Sequence, residues 1–257
     1  MWCAPIWMGW RSQHEGFSMR SETALSAANS HADIDPRSVP KTRVNWPVAF
    51  RLKPAKFPGT APLSLLVSDG ASQLAALKDT TSPAVRHKLR QVPLPLKVPA
   101  GTPTTILSAF ASSVPEWRFA ARGTPHMVLA SSVTAAVSVA SEIYSQFMRD
   151  TAQKASTLSF VVERFCLAGQ FSDICDSETF PACYAGPSIT VPQQLVTAIN
   201  ENGEDGLVFD VIGGQAAVAL NPATIKNAGL ERALALEWNG ETFHRLYDYR
   251  DMYWRDL

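Results

Sequence analysis

Cysteine is scarce in this chain: there are four in 257 residues, and no two of them form a C-x-x-C pair. Cys166, Cys175 and Cys183 cluster without a neighbouring histidine pattern, which makes a poor zinc site, and Cys3 stands in an expected N-terminal extension. Reduced thiols and a cytoplasmic protein are therefore expected. Charge of one sign is lacking too. Lys plus Arg and Asp plus Glu each number 23, for a formal net charge of zero, so nothing recommends direct nucleic-acid binding or an anionic membrane surface. No apolar run approaches the roughly 20 residues that a membrane span needs. The start, Met1 to Arg11, is aromatic but has no basic segment followed by an aliphatic one, so it does not read as a signal peptide. A glycine-rich phosphate loop is absent as well; Gly203, Gly206, Gly213 and Gly214 read as turn glycines. Without G-x-S-x-G or H-E-x-x-H, neither an esterase nor a zinc hydrolase is supported.

What is there belongs to a globular protein. Hydrophobic residues make up 46% and charged residues 18%, and the length suits one substantial domain with a tail. Residues 1–43 read as an extension, rich in Ser, Ala, His and Asp and without sustained periodicity, and Met19 is an alternative start. The domain is expected over 44–257. Val44 to Leu52 has strand composition around Arg51, followed by a proline-punctuated turn from Lys53 to Gly59. Leu63 to Val67 is a short apolar run and Gly70 to Lys78 a helix candidate. Pro83, Pro93, Pro95, Pro99 and Pro103 then exclude a long helix. Ile106 to Ser112 suits a short strand or helix, Leu158 to Leu167 a core strand, and Phe171 to Tyr184 irregular backbone. Thr190 to Asn200 is an amphipathic helix with Pro192 in its first turn and Asn202-Gly203 past its end. Gly206 to Ile212 and Ala216 to Leu220 form a hairpin through Gly213-Gly214, and Ala223 to Lys226 a short turn. Leu234 to Trp238 and Thr242 to Tyr247 pair around Asn239-Gly240, and Asp248 to Asp251 reads as a solvated tail. More hairpins than βαβ units predict an α+β fold with a mixed, largely antiparallel sheet and flanking helices.

The chemistry concentrates between Trp117 and Phe147. Gly123-Thr124-Pro125 marks a turn, Met127 to Ala130 a buried strand, and Ser131 or Ser132 the N-cap of an Ala/Val-rich helix carrying Glu142 and Tyr144. No charged residue separates Arg122 from Glu142. A carboxylate in such apolar surroundings needs a partner unless it is solvated, and Arg118 and Arg122 are the nearest candidates. His126 and His244 read as structural.

Several of these segments together resemble the RES domain, the toxin half of RES–Xre toxin–antitoxin pairs. Asn202-Gly203-Glu204-Asp205-Gly206-Leu207-Val208-Phe209-Asp210, the Gly213-Gly214 turn, Ala217 to Pro222 and Leu236-Glu237-Trp238-Asn239-Gly240 carry the likeness in the C-terminal half, after Tyr184 and the Gln194-Leu195 helix. Phe50-Arg51-Leu52 with Pro54 to Phe57, and Trp117-Arg118-Phe119 with Gly123 and Pro125, match the family's earlier arginine motifs. The resemblance implies an ADP-ribosyltransferase-like core that cleaves the nicotinamide–ribose bond of NAD+, by hydrolysis or phosphorolysis, with NAD+ as substrate and no cofactor. It implies Arg118, Glu142 and Tyr144 as catalytic residues: Arg118 on a phosphate, Glu142 on a ribose hydroxyl and the oxocarbenium-like charge. Arg51, Arg122 and Ser131 are implied as substrate-binding residues. The partner implied is an Xre-type antitoxin in a hetero-oligomer, with homo-oligomerisation also open. The chain departs from the family where Val128 replaces the strand tyrosine, leaving Tyr144 as substitute, and where Val211-Ile212 replaces a Ser-Val-Arg. A binding protein on the same fold, with catalysis lost, is the alternative.

Overall fold

Pro47 interrupts the first strand, and the way the sheet accommodates it shows how the molecule is built. β1 (Lys41–Pro54) runs antiparallel to β3 (Ser156–Asp173), from Lys41 opposite Ser172 to Pro54 opposite Phe160, with a register shift between Trp46 and Ala49. Proline has no N–H for a ladder and is tolerated at such a bulge; its free carbonyl accepts a hydrogen bond from the Cys166 thiol at 2.9 Å. The structure, a computed structural model, describes residues 34–55, 98–99, 101–111, 116–120, 124–184 and 189–257. The elements expected at Leu63 to Val67 and Gly70 to Lys78 lie outside the described residues, as do Cys3 and Arg122. The described elements belong to one compact unit, Ile34–Leu257.

The remaining strands are β2 (Met127–Ala130), β4 (Gly206–Val211), β5 (Gly214–Ala219), β6 (Ile225–Trp238), β7 (Phe243–Asp248) and β8 (Tyr253–Asp256). Their order is β1-β2-β5-β4-β3-β6-β7-β8 with β1 also paired to β3, so the pairings of the first five close into a circuit. Two contacts on this circuit are thin. β2 meets β1 only at Ala130 opposite Phe50, and β4 meets the end of β3 in parallel at Leu207 and Val208. The class expected of the sequence, α+β with a mostly antiparallel sheet, is the class observed.

Alternation along the strands sorts the apolar residues into two cores. Met127, Leu129, Val208, Ala217, Ala219, Phe165 and Phe171 pack with Ile106, Ala109 and Phe110 of α1 (Thr104–Ala111). Ala130, Leu207, Phe209, Ala216, Val218, Phe160 and Val162 pack on the other side with α2 (Val133–Asp150) and α4 (Thr190–Glu201); α3 (Pro181–Tyr184) is a single turn that buries Cys183. Among the described residues no helix is long and apolar enough to cross a membrane.

Three expectations are corrected. β6 begins at Ile225 rather than Leu234 and pairs with β3 as far as Leu167, so the turn expected at 223–226 shrinks to a 3-10 turn, Pro222–Thr224. β3 continues through Phe171 to Asp173, where irregular backbone was expected. The segment after Tyr247 is no solvated tail: Asp248 is 1% exposed, bound by Arg232 at 2.7 Å and Arg255 at 3.3 Å, and β8 follows it.

Candidate functional site

β1 and β2 part beyond their single pairing, and α2 lies over the gap. A recess of about 40 Å3 results, lined by Phe50, Arg51 and Leu52 of β1, Val128, Leu129 and Ala130 of β2, and Ala136, Val139, Ala140, Ile143 and Tyr144 of α2. The helix starts where it does because Ser132 caps it: its hydroxyl accepts from the Ala135 N–H at 2.9 Å and donates to the Gly213 carbonyl at 2.8 Å. The β4–β5 turn packs against that first turn, and a Cβ on Gly213, whose φ is +87°, would stand 2.5 Å from the Thr134 methyl. Small residues at 135, 136 and 140 then let the helix approach the sheet closely.

Arg51 brings the charge. Its guanidinium donates to Glu163 at 3.2 Å, and Lys53 reaches the other carboxylate oxygen at 3.7 Å. The Arg51 and Glu163 side chains are only 13% and 6% exposed. Such a pair, largely withdrawn from water, holds its geometry firmly. Glu163 was not singled out in the sequence, although a lone carboxylate in Phe160-Val161-Val162-Glu163 was a signal for it.

Tyr144 is mostly buried against Phe160, ring centroids 5.3 Å apart. Burial pushes its phenol up to about 12, against the opposing pull of the Arg51 charge. At neutral pH it is a hydroxyl donor. His126, one residue before β2, is 4% exposed. Burial holds its imidazole below its ordinary value; the Thr124 carbonyl opposes that and Arg51 adds to it.

Glu142 lies off this face of the helix. Its side chain, 46% exposed, pairs with the Nε of Arg118 at 3.3 Å, and Arg118 also donates to the Cys183 carbonyl at 3.3 Å. The arginine is thus tied to α3, while its chain neighbours Trp117 and Phe119 pack edge to face and Phe119 packs against Phe209. Val139 and Ala140 occupy the recess-facing turn of α2. Ser131 does not line the recess either: its hydroxyl accepts from the Gln215 N–H at 2.9 Å and locks β2 to β5. Of the six residues expected at the site, the structure therefore gathers Arg51 and Tyr144, pairs Arg118 with Glu142 outside the recess, and uses Ser131 in the sheet; Arg122 is outside the described residues.

Chemically, the recess offers a largely buried guanidinium, a neutral phenol and an apolar wall, in a space that admits only a small group. Among the described residues no carboxylate lines it. Among the described residues no group of His, Cys, Asp and Glu is placed to hold a metal ion. No family model matches the sequence, and no curated protein matches it. Among solved structures, one chain of the M. tuberculosis MbcT–MbcA toxin–antitoxin complex is similar to it, at 12% identity over 78% of this chain and 87% of that one, with a TM-score of 0.36.

Proposed function

We propose that this chain is a RES-like protein of a toxin–antitoxin pair that binds NAD+ through the β1–β2–α2 recess without cleaving it at a useful rate. The observation that carries the reading is the lining of the recess, where, among the described residues, Arg51 and Tyr144 stand beside Val139 and Ala140 and no carboxylate. Breaking the nicotinamide–ribose bond builds positive charge on the ribose, and a carboxylate beside it is the group that stabilises this charge. Arg51, held by Glu163, and the protonated Tyr144 still supply hydrogen bonds to a ligand. On the sequence resemblance, an Xre-type antitoxin is the protein that would cover this cleft.

A second reading, an active NAD-degrading toxin, draws on one feature: Arg118 and Glu142 do stand as an ion pair, with Tyr144 two residues further along the helix. Titration calorimetry with NAD+ and a nicotinamide-release assay, run on the wild type, Arg51→Ala and Glu142→Ala, separate the two. Binding lost only in Arg51→Ala, with no nicotinamide released by any protein, supports the binding function. Nicotinamide release abolished by Glu142→Ala, with growth arrest on expression relieved by the same change, establishes the toxin instead.

A further inference from the structure

β8 (Tyr253–Asp256) is an edge: it pairs with β7, and no strand lies along its other side among the described residues. The direction of its backbone groups follows from one bond. The Leu257 N–H donates to the His244 carbonyl at 3.0 Å, in the register that sets Asp256 opposite Arg245. Hydrogen-bonded pairs alternate in an antiparallel ladder, so Tyr253, Arg255 and Leu257 direct their N–H and C=O groups to β7. Those of Trp254 and Asp256 point outward. An open row of this kind is a template for another strand, and proteins blunt it where pairing is unwanted. Two longer stretches without a second strand beside them among the described residues are blunted. β1 carries Pro47 and a register shift between Trp46 and Ala49; the first half of β6 carries two register shifts and Asn227 at φ +56°. β8 has neither proline nor bulge.

Its side chains are also held in place. The Arg255 guanidinium binds Asp248 at 3.3 Å and Asp251 at 3.1 Å, and lies 5.3 Å from the centre of the Tyr253 ring. Trp254, on the opposite face of the strand, packs against Tyr247 with ring centroids 5.2 Å apart and lies under the Arg245 guanidinium. Met252, Tyr253 and Leu257 are exposed around them. Charge and the hydrogen-bond alternation decide which strand fits this edge. About a two-fold axis through Trp254, β8 runs antiparallel to its own copy. The outward N–H and C=O of Trp254 then meet the same groups of the copy, and Tyr253 stands opposite Arg255. A symmetric contact must be self-complementary, and this one is: the cation–aromatic pair found within the strand recurs across the axis, twice. A shift of one residue faces an outward amide with an inward one. An axis through Arg255 sets two guanidinium groups opposite each other, which is unfavourable.

We propose that β8 is a homodimer interface, in which two copies of this chain join their sheets edge to edge through an antiparallel β8–β8 ladder centred on Trp254. The partner that fits is a second copy, and the strand that receives it is not among those lining the recess. The inference stands independently of the NAD+ reading.

The test uses the full chain in analytical ultracentrifugation over a range of concentrations, with amide hydrogen exchange on the same samples. The wild type is expected to sediment as a dimer at high concentration, and the Trp254 amide to become protected as the dimer forms. The Tyr253 and Arg255 amides, directed to β7, are the internal control. Asp256→Pro removes an outward N–H that the β7 ladder does not use, and is expected to leave a monomer with an unchanged circular dichroism spectrum. Tyr253→Lys, at an exposed position, sets a like charge opposite Arg255 on both sides of the axis and is expected to weaken the dimer about tenfold. A wild type that stays monomeric at every concentration overturns the inference. So does a dimer whose Trp254 amide exchanges freely, or whose dissociation neither variant moves, because the copies then meet elsewhere. The exchange measurement needs no variant to fold.

Discussion

Arg51–Glu163 and Arg118–Glu142 are the same chemical pair in two environments, and burial makes them different objects. The first has side chains 13% and 6% exposed, the second 20% and 46%. Removing Glu163 leaves a largely buried guanidinium without its counter-charge, so Glu163→Ala should cost about 3 kcal/mol in urea denaturation. Glu142→Ala should stay within about 0.5 kcal/mol, the usual value of an exposed pair. Tyr144 sets the pH behaviour of the recess. Its phenol titrates near 12 in the folded protein against an ordinary value of 10.0. The folded state therefore keeps its proton where the unfolded chain has lost it, and the contribution is complete below pH 10 and declines as pH rises from 10 to 12. Absorbance titration at alkaline pH should show two phenols ionising late, Tyr144 and Tyr184, the latter pushed up further by burial, and Tyr144→Phe should remove the earlier of the two steps. The sequence made Arg118, Glu142 and Tyr144 visible because they stand close together along the chain. It did not reveal Glu163 as the partner of Arg51, since 112 residues separate the two.

Among the elements, the β4–β5 hairpin and the start of α2 depend on backbone details that a single atom disturbs. Gly206 has φ +146°, and a Cβ there would meet the Val218 carbonyl oxygen at 2.0 Å. Gly206→Ala must therefore break the first hairpin pair, and a loss of at least about 2 kcal/mol is expected from strain in so unfavourable a backbone region. Thermal unfolding by circular dichroism measures it. Ser132→Ala removes the cap of α2 and its tie to Gly213, with an expected loss of about 1 kcal/mol. These places were legible in advance because their signals are local: Gly213-Gly214 and Asn239-Gly240 mark turns, and Ser131-Ser132 precedes the helix. The lengths of β3 and β6 were not. Lys226 to Ala233 alternates poorly, with several polar residues and Gly229, and it becomes strand because β3 offers it a ladder.

For the whole molecule, β3 is the shared member. It pairs with β1 along one edge and with β6 and then β4 along the other, so both cores rest on it. Phe165→Ala, at a side chain 1% exposed, is expected to cost about 3–5 kcal/mol. Near- and far-ultraviolet circular dichroism should then report one coincident unfolding transition at lower urea, because neither sheet half keeps its core when the strand loosens. By itself the sequence determined the α+β class, the hairpins, β2 and the helix that follows it, since strand and helix periods and turn residues act over a few positions. Tertiary structure alone decided that the strand pairings close into a circuit, that Asp248 is buried between Arg232 and Arg255, and that Val139 faces the recess while Glu142 turns away from it. Each of those depends on which distant strand or helix face arrives opposite a residue. Local propensity has no access to that; it is settled only when the apolar faces of the whole chain find their common packing.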